Sequence, residues 1–480
     1  MEKLKMFVGG KWKEAEGDKH FLAFSPSTGE EIAQVAEGSR EDARQALQEA
    51  RKASEEFRKW SVWDRASLLQ RISIVVEQRK EVLAHALTLD QGKPYYTEAI
   101  QEVESVVRTF SETAEQIKWI ETSSTATKDP YKRVYSFLQP KGVYAVITPW
   151  NFPLMVPTEF IAPGLGAGNT IVWVPAPTTT VCSVKFAECF EEAGVPKGVI
   201  NLVTGMGNVV GDEIVSSPYS DAIAFCGSSA TGKLIAERGA GKPLLLELGG
   251  NGPTVVLKDA DLDYAAQSIA KGCFTNAGQI CSATERILVQ KNVHDALVEK
   301  LTMYAKQVVL GDPFDTKTTM GPLNNYPVIK KNEQHVADSQ KRGSTFLVGG
   351  KRATHLSNDL FFEPTVIIDV KQDSLYNLDE TFGPVAPVMS FSTQEELLKI
   401  THQNKWGLAS AIYTNHLKEA ISLAEKMPTG LVNINENSNY WEPHIPFGGV
   451  AGKSSGIGRV GGKYAIQEMS DLKTISIDLH

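Results

Sequence analysis

Val143-Tyr-Ala-Val-Ile-Thr148, Thr170-Ile-Val-Trp-Val174, Ile200-Asn-Leu-Val203, Ala222-Ile-Ala-Phe225 and Leu244-Leu-Leu-Glu-Leu248 are the five short runs on which the fold of this chain turns. Each is almost wholly apolar, and helical stretches such as Ser183–Ala193 and Thr231–Arg238 separate them. A strand covered on both faces reads as a continuous apolar run, and its alternation with helices predicts a parallel, doubly wound α/β sheet. Such sheets take their ligands beyond the carboxyl ends of the strands.

Outward from this block the texture changes on both sides. From about Arg40 to Gln116 the pattern is helical: Ala43, Ala46, Leu47 and Ala50 recur at i, i+3, i+4 and i+7, and a second such stretch runs from Leu68 to Leu87. After Gly252 a second α/β set is expected, with strands Thr254–Leu257, Ile287–Val289, Thr365–Ile368, Ala409–Tyr413 and Leu431–Ile434, helices such as Asp295–Lys306, and a hinge near Gly249–Gly252. Tyr131–Gln139 and Thr474–Leu479 alternate in the manner of exposed strands. Because an exposed edge is usually paired, pairing with another subunit is expected.

A length of 480 residues is natural for two or three domains. The 49 basic residues against 57 acidic ones leave a net charge of −8, which argues against nucleic acid, because phosphate binding needs a basic surface. No apolar run is long enough to cross a bilayer, so no membrane association is expected. The first residues lack the apolar core of a signal peptide. Cys182, Cys189, Cys226, Cys273 and Cys281 form no C-x-x-C pair and read as reduced thiols of a cytoplasmic protein, most of them small buried hydrophobes. Neither they nor the nine histidines show metal-ligand spacing, so no metal is expected.

Four short motifs carry chemistry. In Phe274-Thr-Asn-Ala-Gly-Gln-Ile-Cys281 a cysteine follows a Gly-Gln turn that can project its thiol into a cleft; taken alone, an inert buried cysteine is its default reading. In Leu244-Leu-Leu-Glu-Leu-Gly-Gly250 a carboxylate stands among leucines at a strand end. Desolvation raises such a group toward the range of a general base, unless nearby N–H groups hold it. In Thr148-Pro-Trp-Asn-Phe-Pro153 two prolines stiffen the backbone around Asn151, either as a rigid turn or to aim its amide at a developing oxyanion. Phe225-Cys-Gly-Ser-Ser-Ala-Thr-Gly232 follows a strand and opens a helix, where N–H groups and small residues admit a pyrophosphate; as G-x-x-x-x-G it is a weak fingerprint by itself.

Together, in this order, the motifs resemble the aldehyde dehydrogenase superfamily. The resemblance extends over the whole chain through Glu380-Thr-Phe-Gly-Pro-Val385, Pro446-Phe-Gly-Gly449 and Ser455-Gly-Ile-Gly-Arg459. It implies an NAD(P)+-dependent oxidation of an aldehyde to a carboxylic acid. In that reading Cys281 attacks the carbonyl, Asn151 and the Cys281 backbone N–H hold the oxyanion, and Glu247 activates the water that hydrolyses the thioester. Thr148, Trp150, Val174, Gly227, Ser228, Gly232, Leu248, Glu380 and Phe382 are the implied cofactor residues. Met155, Glu159, Ile280, Ser282, Trp441 and Phe447 are the implied substrate walls, with Thr275 beside them. Trp441, Phe447 and Met155 suit a flat or apolar substrate, and Asn437–His444 is loosely similar to the aromatic-aldehyde branch, whereas Glu159 and Glu442 are either surface acids or groups favouring a hydroxylated or cationic aldehyde. His444 reads as a loop residue.

The resemblance further implies a doubly wound parallel-sheet cofactor domain from 1–118 and 140–250, and an α/β catalytic domain over 251–440. A small β oligomerisation arm from 119–139 and 465–480 would make a dimer or tetramer, and a loop over 441–464 would return to the first domain. Two departures stand out. Most members carry a Lys and a Glu for the adenine ribose after the second strand, where this chain has Val174 and Pro177, and Lys185 is too far along to substitute, so the choice between NAD+ and NADP+ stays open. The arginine that succinate-semialdehyde enzymes place near the nucleophile has no counterpart, Ala283 standing there, which disfavours a dicarboxylic semialdehyde. The rivals are a CoA-acylating relative, which generally lacks the glutamate that Glu247 supplies, and a non-catalytic binding protein, favoured only by Val174 and Pro177.

Overall fold

The computed structural model describes residues 2–480. Its largest sheet has eight strands, ordered from edge to edge Gly456–Ile457, Leu244–Glu247, Ala222–Cys226, Val143–Ile147, Thr170–Val174, Ile200–Leu202, Met6–Val8 and Lys11–Lys13. The strands drawn from 143–247 all pair parallel, and antiparallel strands finish both edges. Successive residues enter different cores: Tyr144 and Val146 pack on one face, Val143 and Ala145 on the other. Both faces are covered, and the runs are therefore continuous rather than alternating. The strand order reverses between Val143–Ile147 and Ala222–Cys226, and the crevice at their carboxyl ends is where a doubly wound sheet takes its ligand.

The early helices carry clear start signals. Ser39 accepts from the Asp42 N–H while the Asp42 carboxylate accepts from the Ser39 N–H, starting Arg40–Phe57; Ser61 and Asp64 do the same for Val62–Gln78. The stretch expected over Leu68–Leu87 is two helices, Val62–Gln78 and Lys80–Gln91, parted at Arg79. Their buried faces form one stripe, so the break leaves no mark in the periodicity.

The second sheet runs Thr345–Val348, Thr365–Ile368, Val385–Phe391, Arg286–Gln290, Pro253–Val256, Ala409–Tyr413 and Leu431–Ile434, all parallel save the first. Leu248–Gly252 carries the chain from the first sheet to the second, since Glu247 ends a strand of one and Pro253 begins a strand of the other, and residues 435–455 carry it back to the edge strand Gly456–Ile457. Val385–Phe391 was not foreseen, because Pro387 argues against a central strand, yet Pro387 stands in register opposite Ile367. The two alternating segments are strands, and their first partner lies within the chain. Lys132–Pro140 and Ser470–Asp478 pair antiparallel with each other along their whole length, with Ser123–Thr125 on the far side. Each satisfies the other's ladder, and the outer edge of Ser470–Asp478 stays open along its length among the described residues. No helix among them is long and apolar enough to cross a membrane.

Candidate active site

The turn Thr148–Pro153 leaves its strand at the reversal point. Thr148 Oγ1 accepts from the Trp173 indole at 2.8 Å, and the Thr148 N–H donates to the Val174 carbonyl at 3.1 Å. Asn151 is 5% exposed. Its side-chain amide gives one hydrogen to the Gln279 carbonyl at 2.9 Å, which leaves the second free for an oxyanion. Its own carbonyl accepts from Lys93 Nζ and from Asn276 Nδ2, both at 3.0 Å. The prolines alone therefore do not aim Asn151, and Lys93 was not singled out from the sequence.

The loop that presents Cys281 is held in an unusual backbone. Asn276, Ala277 and Gly278 have φ of 50°, 53° and 72°. For Ala277 this costs on the order of 1–3 kcal/mol and persists only where neighbours over-determine it. They do: Gln91 donates to Asn276 Oδ1 at 3.0 Å, the Asn276 N–H donates to Glu98 at 3.0 Å, and the Asn324 N–H donates to Gln279 Oε1 at 2.9 Å. At Gly278 a side chain is impossible, because a Cβ would lie 2.1 Å from the Gly383 carbonyl oxygen. Beyond the turn Ile280 and Cys281 stand half-buried. The Cys281 carbonyl rests on Gly250, where a Cβ would come within 2.2 Å of it. The cysteine loop thus lies directly on the Gly249-Gly250 step that follows Glu247.

Glu247 is 4% exposed and neither carboxylate oxygen has a hydrogen-bond partner. Burial, and then the charge of Glu159, hold its carboxyl well above the usual carboxylate range, against the pull of Arg459. A Cβ on Gly448 would lie 2.9 Å from Glu247 Oε1, so the Pro446–Gly449 loop runs against the carboxylate. Burial pushes the half-buried Glu159 up to about 8, helped by Glu102. Cys226 stands beside Glu247 in the ladder and is half-buried at the cleft instead of being lost in the core. Burial pushes the Cys281 thiol up strongly, and Glu247, Glu380 and Glu159 push it further. In the protein without cofactor, alkylation of Cys281 by iodoacetamide is therefore expected to climb about tenfold per pH unit from about pH 7 to about pH 9.5, because only the thiolate reacts. Peptide mass spectrometry would follow it; a plateau below about pH 9, near an ordinary thiol, would contradict the electrostatics described.

The implied cofactor residues lie around the crevice. Helix Ser229–Arg238 begins just past Ala222–Cys226, with Ser228 as its cap accepting from the Thr231 N–H and Gly227 before it. Its first N–H groups suit a pyrophosphate. Gly232 is turned inward, where Leu248 packs so closely that a Cβ would meet Leu248 Cδ2 at 2.5 Å. Across the cleft Phe382, at φ 59°, meets Trp150 edge-on with centroids 5.5 Å apart. The buried Glu285, also missed in the sequence, fixes that backbone by accepting the N–H groups of Thr381 and Phe382 at 2.5 Å each. Glu380 accepts from the Gly250 N–H at 3.0 Å. The far end is different: Val174 is buried and without a polar side chain, Pro177 starts a short 3-10 turn, and Lys185 is engaged with Glu2 at 2.6 Å and Glu188 at 3.3 Å. The donors fit a pyrophosphate and a flat ring, while these positions offer the adenine ribose no charged partner.

Met155 and Glu159 lie one turn apart on helix Met155–Ala167, and so share a face. Met155 and Phe447 belong to one apolar cluster, against which Cys281, Cys226, Phe152 and Trp441 pack. Trp441 meets Phe447 with centroids 5.8 Å apart and donates to the Ile445 carbonyl at 2.7 Å. Ser282 donates to Asn439 Oδ1 at 3.0 Å, tying the nucleophile loop to the segment before Trp441. Thr275 is half-buried where that loop begins. Glu442 accepts from the Tyr440 hydroxyl, and exposed His444 lies 3.7 Å from both Glu442 and Glu112. Among the described residues Glu14, Asp18 and His20 come close enough to share an ion, but His20 already binds Glu14 at 3.1 Å and Lys5 faces the same carboxylate.

Residues 12–475 match the model of the aldehyde dehydrogenase family. The chain is 37% identical to the lactaldehyde dehydrogenase of Methanocaldococcus jannaschii, over 98% of this chain and 100% of that one. Its structure superposes on that of an NADP-dependent enzyme from E. coli with a TM-score of 0.97 at 34% identity, covering 100% of this chain and 98% of the other. The betaine aldehyde dehydrogenase of Staphylococcus aureus in complex with NAD+ gives a TM-score of 0.96 at 33% identity, covering 99% and 95%.

Proposed function

The chain belongs to the aldehyde dehydrogenase family, an NAD(P)-dependent oxidoreductase that converts an aldehyde to a carboxylic acid, and on that premise we propose how its residues divide the work. One observation supports the reading: the Cys281 carbonyl lies against Gly250, the Asn151 amide donates to Gln279 in the same loop, and the unpartnered Glu247 carboxylate is close enough to act on the thiol.

Cys281 gives up its thiol proton to solvent and adds as the thiolate to the aldehyde carbon, and the oxyanion takes the second Asn151 hydrogen and the Cys281 backbone N–H. When bound, the nicotinamide supplies the oxidising power by accepting hydride from that carbon. Cys281 is then a thioester. Glu247 takes a proton from the water that attacks it, and the acid leaves. Gly227 and Ser228 hold the pyrophosphate; Trp150 and Phe382 flank the ring, with Glu380, Thr148 and Leu248 behind. Residues 1–118 and 140–250 take the dinucleotide, 251–440 supply the thiol, and the arm of 119–139 and 465–480 pairs subunits through the open edge of Ser470–Asp478. With Glu247 in place, water rather than coenzyme A receives the acyl group. The protein is cytoplasmic in this reading.

The test is a panel of aromatic, aliphatic, hydroxylated and quaternary-ammonium aldehydes with NAD+ and NADP+, following reduced-cofactor absorbance. Val174 and Pro177 leave nothing to attract or repel a 2′-phosphate, so kcat/KM for the two cofactors should lie within about 100-fold, less than a specific charge contact gives. A larger preference would show that another group reads the ribose.

The pocket also offers an anion no partner. Glu159, Glu247 and Glu380 act on the Cys281 thiol, and Arg459, which opposes Glu247, spends Nη1 on the Gly449 and Gly458 carbonyls, while Lys331 and Lys405 oppose Glu380. A flat or apolar substrate without a carboxylate suits it best. Benzaldehyde should exceed 4-carboxybenzaldehyde by at least about tenfold in kcat/KM, since a carboxylate would be desolvated beside acids that burial already holds in their neutral form. Equal values would mean that the distal carboxylate stays in water.

A further inference from the structure

Lys93 and Glu102 form an ion pair at 2.6 Å with both side chains only 1% exposed. A buried pair is retained at low cost only when its remaining protons and lone pairs are satisfied. Here they are satisfied by the active-site turn and the start of the helix that follows it. Lys93 Nζ donates to the Asn151 carbonyl at 3.0 Å and lies 3.9 Å from the centre of the Phe152 ring. Glu102 Oε1 accepts from the Leu154 and Met155 N–H groups at 3.0 Å each, where helix Met155–Ala167 begins. The same short segment also grips the nucleophile loop. Gln91 accepts from the Lys93 N–H at 2.9 Å and donates to Asn276 Oδ1 at 3.0 Å. Between them Gly92, at φ 97°, is wedged where a Cβ would meet Pro322 Cγ at 2.8 Å.

We propose that Lys93 is the positioning residue of the oxyanion-binding amide: paired with Glu102 and coupled to Gln91, it sets the Asn151 turn in register with the Cys281 loop. The proposal rests on Asn151 being the oxyanion donor. Lys93 touches neither substrate nor thiol and acts through the backbone of Asn151, from which the amide projects. A misplacement of about 1 Å in a catalytic group costs on the order of 100-fold in rate.

The test is a double-mutant cycle. Lys93→Met is combined with Glu102→Gln, so that no bare charge is left buried and the side-chain oxygen at 102 can still accept from Leu154 and Met155. In the otherwise unchanged enzyme this pair should lower kcat about 10- to 100-fold, with the aldehyde KM moving less than about threefold. In an Asn151→Ala background the same pair should cost less than about threefold, because residues that act as a unit are not additive. Equal losses in both backgrounds, or no loss in the first, would overturn the proposal. Lys93→Arg is the second variant: it keeps the buried charge and displaces the Asn151 carbonyl. It should lower kcat while iodoacetamide still alkylates Cys281 at the unmodified enzyme's rate, since alkylation needs no oxyanion donor. A parallel fall in alkylation would show general loss of the loop and count against the proposal. Undiminished kcat in Asn151→Ala alone would instead overturn the reading of Asn151 on which it rests.

Discussion

Cys281→Ala is expected to abolish aldehyde-dependent reduction of the cofactor, with kcat falling by on the order of 10⁴ or more, because the route through a covalent intermediate disappears. No other thiol can take its place. Cys182, Cys189 and Cys273 are buried, and their Sγ atoms donate to the carbonyls of Thr179, Lys185 and Thr284. Cys226 lies within electrostatic reach of Cys281, but it belongs to the strand beside Glu247 and not to the loop whose Gln279 carbonyl accepts from Asn151. The substitution removes one half-buried sulfur, and the Asn276–Gly278 turn is held by groups that do not include it, so the fold and cofactor binding should survive. Cofactor titration by tryptophan fluorescence provides the control. Binding without turnover fits a covalent mechanism; residual turnover within about 100-fold of the unmodified enzyme would mean that hydride can leave an aldehyde hydrate without the thiol, and Cys281 would lose its assigned role.

The parts of this enzyme that were legible in its sequence are those whose signal is local. The parallel strands of 143–247 could be read because both faces of each are buried, which leaves an uninterrupted apolar run. Val385–Phe391 was hidden by Pro387, and the division at Arg79 by an apolar stripe that continues across it. The two arm strands were recognised as edges, while their pairing with each other, across more than three hundred residues, has no local signal. The site divides in the same way. Cys281, Glu247 and Asn151 are each announced by glycine or proline beside a reactive side chain. Lys93, Glu102 and Glu285 are not. A lysine between Gly92 and Pro94 reads as a solvated turn, and Glu102 and Glu285 read as ordinary charged residues. Their burial, and their bonds to Asn151, Leu154, Met155, Thr381 and Phe382, arise only when distant segments close on them. Reactive groups were thus visible, while the groups that hold them in place needed the fold.

Glu247→Gln should separate the two halves of the reaction. The change keeps the shape of a buried side chain that lies against Gly448 and removes its ability to take a proton. Cys281 and Asn151 remain, so one equivalent of reduced cofactor per active site should appear in the first turnover. Steady-state kcat should then fall about 10²- to 10⁴-fold, the usual contribution of a positioned base, as the thioester waits for water. Rapid quench and intact-protein mass would show the acyl adduct. The pH dependence has a defined sign. A carboxyl held above its usual range is protonated, and useless as a base, at low pH, so kcat of the unmodified enzyme rises as Glu247 loses its proton. That rising limb should vanish in Glu247→Gln. It should move to lower pH in Glu159→Gln, because Glu159 is the charge that, after burial, does most to raise Glu247. If the burst disappears together with steady turnover, Glu247 is needed to take the proton from the Cys281 thiol, which the same carboxylates push far up, and its duty begins one step earlier than hydrolysis.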